Sequence, residues 1–170
     1  MELERWHDFY VLVGTAGATL VALLFVALSL GAVFLTDKRA NATRAFFSPV
    51  VVHFTAVFFV SAVGLFPAHK PIVFATLVGG CAAIGAAISL FTTVQLLRNS
   101  WTNFLQDHLA YGLLPLISYA ALLVAAAMIL QEHEYALLVL AGALLTLLIV
   151  NIRNAWDLTL SMVRHHARGR

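Results

Sequence analysis

Five long runs carry no Asp, Glu, Lys or Arg at all: 9–35, 45–67, 72–97, 109–130 and 135–152. A hydrocarbon core of roughly 30 Å is crossed by about 20 helical residues at about 1.5 Å each, so every run is long enough. The shortest, 135–152, would stand upright, whereas the longest, 9–35, must tilt or project beyond the bilayer. Barrel strands alternate polar and apolar side chains over about ten residues, and none of these runs alternates. Composition agrees, because 62% of the chain is apolar and 11% charged, where soluble domains carry about 25% charged residues. The expected fold is therefore an all-α, polytopic membrane helical bundle of five transmembrane helices, a single domain over 1–170 with the lipid bilayer as its first partner. A helical extension is predicted over 153–166, where Trp156, Leu160 and Val163 fall on one face and Trp156 sits at headgroup level.

Alternating the connections between two sides collects Lys38, Arg39, Arg44, Arg98, Arg153, Arg164, Arg168 and Arg170 on one and leaves Arg5 and Lys70 on the other. The positive-inside rule makes the richer side cytoplasmic, with the N-terminus out and the C-terminus in. Basic residues placed beside helix ends explain the net charge of +2 without any nucleic acid, and none is expected. Glu2 and Glu4 ahead of a very long apolar run argue against a cleaved leader, so the first helix is expected to remain. Cys81, the one cysteine, lies within the third run and rules out an intrachain disulfide. Ser48-Pro49 near the start of the second run, Pro67 at its end and Pro71 at the start of the third punctuate the helices, and Asp107 is a candidate cap for the fourth. Pro115 falls inside the fourth run, where it removes a backbone hydrogen bond and predicts a kink unless Tyr111 or neighbouring helices satisfy the freed carbonyl.

In lipid, helices associate through close backbone approach at small residues. Gly14, Ala18 and Ala22, with Thr15 and Thr19 beside them, form one such ridge. Gly79, Ala83 and Ala87, with Cys81, Gly85 and Ser89 alongside, form another. Ordinary packing within the chain accounts for such ridges, and a subunit seam is the alternative. Five short spans with almost no loops enclose little interior, which favours a homo-oligomer.

Two polar clusters stand out. On the outer side are Glu4, His7 and Asp8, then His69, then Glu132, His133 and Glu134. Histidine beside carboxylate can bind a divalent metal or sense pH, and His7, Asp8, His69 and His133 are weak metal candidates. Interfacial loops are polar in any case, so a solvated rim is the preferred reading and no metal is assigned. The inner cluster comprises His53, Thr92, Thr93, Gln95, Asp107, His108, Tyr111, Asn151, Arg153, Asn154 and Asp157. Ionisable groups at membrane depth turn toward protein or water, so His53, flanked by Val52 and Phe54, is expected to face inward and bond Asp107, Tyr111 or Asn151. Arg153 and Asp157, four apart, are expected to pair across one helical turn.

A b-type haem needs paired histidines at matching depth. His53 and His108 are the only such pair, and His108 lies at the interface. No Ser/His/Asp set, HExxH or paired intramembrane carboxylates occurs, so no enzyme activity and no cofactor are expected.

The opening Trp6-His7-Asp8-Phe9-Tyr10-Val11-Leu12-Val13-Gly14-Thr15-Ala16-Gly17-Ala18-Thr19-Leu20, continued by Leu24-Phe25-Val26-Ala27, resembles the first helix of small bacterial inner-membrane proteins that have no assigned activity. The Arg153-Asn-Ala-Trp-Asp-Leu stretch is similar too. The resemblance covers about a quarter of the chain and implies a bacterial inner-membrane location, with no site residues. The function expected is a homo-oligomeric channel or small permeation pathway for ions or protons. His53 and Tyr111 are its lining or gating residues, with Asp107, His108, Asn151, Arg153 and Asp157 as further candidates. The alternatives are a non-transporting scaffold or modulator of another membrane complex and, behind it, a haem- or metal-binding membrane protein.

Overall fold

A computed structural model describes residues 3–32, 37–66, 70–98 and 109–168, and over these it is helical with no strand. A 3-10 turn, Leu3–Trp6, leads into α1, His7–Ala32. There follow α2, Asp37–Gly64, α3, Pro71–Arg98, α4, Leu114–Leu130, and α5, Ala136–Arg168. Over the described residues each apolar run thus folds as helix, the fourth with a π-helical turn, Leu109–Leu113, ahead of α4. The second begins earlier than its punctuation suggested, so Pro49 lies inside α2 rather than at its start. The predicted extension after the last run is continuous with it as α5. Residues 33–35, Pro67 and the candidate cap Asp107 lie outside the described residues.

Glu4–Ala27, Pro71–Gln95, Tyr111–Leu130 and Ala136–Leu160 are long and apolar enough to cross a membrane, and the apolar part of α2 described here, Pro49–Gly64, is shorter. The outer surface matches them, since Leu12, Val26, Ile84, Phe91 and Ile149 each expose more than half their area. Hydroxyls on that surface find partners on their own helix: Thr19, Ser29, Thr55, Thr76 and Thr146 each donate to the carbonyl four residues back, at 2.7–2.8 Å. Such back-bonding removes a polar group from an apolar surrounding without any tertiary contact.

Two features come from backbone chemistry. Pro115 cannot donate to the Tyr111 carbonyl and its ring crowds that carbonyl, and the chain answers with a π-helical turn over Leu109–Leu113 that widens the backbone just upstream. At the other end of α4 the helix closes with His133 N–H donating to Met128 O at 3.0 Å and Glu132 N–H to Ile129 O at 3.1 Å. This pattern requires a left-handed residue between them, and Glu132 takes it at φ 54°.

α1 packs on α2, α2 on α3 and α5, α3 on α4, and α4 on α5. The interior is filled by Phe54, Phe74, Leu122, Leu140, Leu144 and Leu147, all fully buried. The expected ridges are only partly the ones used. Gly14 is buried, but Ala18 and Ala22 are exposed, and the contact continues at Gly17 instead. A Cβ on Gly17 would stand 3.2 Å from Phe54 O and 3.3 Å from Phe58 N, and one on Gly14 would stand 3.0 Å from Ser61 Cβ. On α3, Gly85 and Ser89 are buried while Ala83 and Ala87 face outward. The reason is geometric: a ridge of residues four apart slews around the helix, whereas alternating steps of three and four stay on one face.

Candidate functional site

The centre of the bundle is built on an absence of side chain. Gly85 on α3 leaves the space that the Tyr119 ring of α4 occupies, and any Cβ at position 85 would collide with that ring. Tyr119 is thereby held fully buried and aimed at α2. There its hydroxyl lies 2.8 Å from Nδ1 of His53, which is 1% exposed. The two rings tilt at 50° with centroids 5.4 Å apart. The other ring nitrogen, Nε2, is buried and has no hydrogen-bond partner.

His53 therefore turns inward as its sequence context required, but among the described residues its partner is Tyr119 rather than Tyr111 or Asn151, and Asp107 lies outside them. The sequence carried one usable sign, a second phenol deep in the fourth run, eight residues past Tyr111. Buried tyrosines look for a hydrogen-bond partner, and a buried histidine two spans away needs one.

One helical turn further along, Asn151 on α5 is fully buried. Its Nδ2 donates to Leu147 O at 2.7 Å, which fixes the orientation of the amide and leaves Oδ1 as the buried, unpartnered atom. Ser89, also fully buried, has an unpartnered hydroxyl. The Tyr111 hydroxyl donates to Asn154 O at 3.0 Å and ties the π-turn to α5. Thr93 stands against Gly112 at the same level.

Arg153 and Asp157 do not join this set. They pair across one turn at 3.9 Å, with nearly half of each side chain exposed. Asp107, His108 and His69 lie outside the described residues. At the opposite end, the His7 ring lies 3.2 Å from the Asp8 carboxylate, both exposed. Trp6 meets Glu132, His133 and Glu134 around a depression of about 410 Å³ that His7 and Asp8 do not line. Among the described residues no three His, Cys, Asp or Glu side chains are grouped to hold a metal. Cys81 lines a separate apolar groove of about 500 Å³ between α2 and α3, with Val51, Thr55, Phe59, Leu77 and Ile84.

The buried polar side chains described in the interior, His53, Ser61, Ser89, Ser118, Asn151 and Asn154, include no carboxylate, lysine or arginine. Such a set can pass hydrogen bonds along and, through the imidazole, hold a proton. It offers no fixed counter-charge to a bare ion. No protein-family model, no curated protein and no solved structure matches the chain.

Proposed function

We propose that the chain is an integral protein of the bacterial inner membrane, N-terminus outward and C-terminus inward, that forms a small homo-oligomeric permeation pathway for protons or ions. The observation that carries this reading is the His53–Tyr119 hydrogen bond in the bundle interior. Tyr119 lies on a helix whose length and apolar surface suit a bilayer, and His53 on the shorter apolar helix packed among such helices. Ionisable side chains at that depth cost a few kcal/mol on insertion scales and mark ion or proton pathways when they persist. A leucine at position 53 would pack an apolar core without that cost. Because His53 is 1% exposed, the path runs inside each protomer rather than along an axis between subunits.

The exposed small residues Thr15, Ala18, Thr19 and Ala22 on α1 and Ala83 and Ala87 on α3 supply faces on which copies can approach closely. The same faces support the second reading, a scaffold that packs against a different membrane protein. Pull-down from native membranes separates the two, because a stoichiometric foreign partner favours the scaffold.

The direct test is proton flux in liposomes under an imposed pH gradient within the range where histidine titrates, about pH 5 to 8. Purified wild-type protein is expected to dissipate the gradient faster than empty liposomes, and His53→Ala to return it to background. Wild-type flux no greater than that of empty liposomes would remove the transport reading.

A further inference from the structure

We infer that the bundle interior takes up water from one end only. Water reaches His53 from the side of Asn151 and Ser89, while the layers between His53 and the Tyr10 end form a dry seal. The inference rests on the proposed pathway and specifies what occupies it: a short string of water molecules carrying protons.

The helix register places the groups. Gly14 faces Ser61 and Gly17 faces Val57 across α1 and α2. Gly79 faces Ala126, Gly85 faces Tyr119, and Thr93 faces Gly112 across α3 and α4. Tyr111 meets Asn154 across α4 and α5. Counting along these antiparallel pairs puts Ser89 and Asn151 at one level, about 6 Å (one turn) beyond Tyr119. One water molecule bridges a gap of about that width, through two hydrogen bonds of roughly 2.8 Å. Thr93, Tyr111 and Asn154 come one turn further still.

The atoms at these levels ask for that occupant. Most Ser and Thr hydroxyls among the described residues donate to the carbonyl four residues back, including the buried Ser118 to Leu114 O at 2.9 Å, and Ser61 and Ser89 are the buried ones that do not. Ser89 forgoes that bond although its helix offers the carbonyl, and its hydroxyl points into the interior with no partner. Asn151 Oδ1 can only accept, and His53 Nε2 donates or accepts according to which atom carries the proton shared with Tyr119. A water molecule donates to the first and serves the second in either tautomer. A monatomic cation would meet no carboxylate among the buried side chains described there.

Toward the Tyr10 end the pattern reverses. The levels next to His53 are filled by Val57, Ala82, Leu122 and Leu144, then by Val60, Val78, Ala126 and Leu140, all buried and apolar. The unpartnered hydroxyls on that side, Tyr10 and Ser61, are themselves buried and lie at the α1–α2 contact, Tyr10 against Gly64 and Ser61 against Gly14.

Thiol accessibility tests the division. In a Cys81→Ser background, single variants Ser89→Cys, Asn151→Cys, Val57→Cys and Leu144→Cys are treated in lipid nanodiscs, open from both ends, with a small charged methanethiosulfonate reagent. That reagent attacks the thiolate, which forms only where water reaches. The first two are expected to label on the order of tenfold faster than the last two. Equal protection of all four, or faster labelling at Val57 and Leu144, would overturn the inference. Hydroxyl-radical footprinting of the unmodified chain provides a readout free of folding defects. Oxidation at the fully buried Tyr119 is expected, and a Tyr119 that stays unmodified would count against the wet half. Failure here is distinct from failure of transport: fast labelling at Ser89 and Asn151 without proton flux supports the wet half and removes the pathway, whereas flux with all four positions protected does the reverse.

Discussion

Two helix pairs in this bundle depend on glycine, and they use it in opposite ways. Between α1 and α2, Gly14 and Gly17 let two helices approach until a Cβ would press on the Phe54 carbonyl and the Phe58 amide. Between α3 and α4, Gly85 lets no backbone approach; it makes room for the ring of Tyr119. The first pair is a seam whose tightest neighbours, Phe54 O and Phe58 N against Gly17 and the Ser61 Cβ against Gly14, are main chain or fixed to it and cannot yield. The second is a cradle whose neighbour is a side chain with a job, holding the hydroxyl against His53. Small residues in a membrane-type helix thus serve both packing and the placing of polar groups, and only the identity of the neighbour tells which.

Substitutions can break or sharpen that contrast. Gly17→Leu should be the most damaging, because overpacking against backbone has no rotamer escape; a loss of about 3 kcal/mol is expected, read as a lowered unfolding midpoint in detergent. Gly85→Ala should cost about 2 kcal/mol by the same measurement, and it should also abolish proton flux because Tyr119 can no longer reach His53. A Gly85→Ala variant that kept full flux would erase the distinction between seam and cradle. Tyr119→Phe keeps the ring in its cradle and removes only the hydroxyl. Hydrogen bonds inside membrane bundles average about 0.6 kcal/mol and reach about 1.7, so the expected loss of stability is roughly 1 kcal/mol, with flux falling well below wild type. Gly142, by contrast, has nothing near a would-be Cβ. Gly142→Ala is expected to raise stability by about 0.5–1 kcal/mol, through helix propensity alone, and to leave flux unchanged.

The same contrast marks where sequence reading succeeds. The helices were legible because long uncharged runs that lack the two-residue alternation of barrel strands read as helix. The inward turn of His53 was legible because a lone imidazole between Val52 and Phe54 has no other way to find company. Its partner was not, since pairing Tyr119 with His53 depends on which faces of α2 and α4 meet, and an all-apolar helix carries no periodic signal to orient it. The seam failed for a related reason. Gly14, Ala18 and Ala22 share a spacing of four, yet the face in contact steps from Gly14 to Gly17, and small residues on several ridges of one helix cannot be ranked without the neighbour. Arg153 and Asp157 were read correctly as a pair, because four-residue spacing is local and needs no knowledge of the fold.

The account turns on His53 lying inside a protomer and bonded to Tyr119 while the chain sits in a bilayer. Nitrogen-15 NMR of histidine-labelled protein in lipid tests this most directly, with the His53 signals identified by their loss in His53→Ala. Tyr119→Phe should move the Nδ1 resonance of His53 and leave the other histidines where they are. A His53 ring indifferent to Tyr119→Phe, or one whose signals shift only when different copies of the chain are mixed, would contradict it.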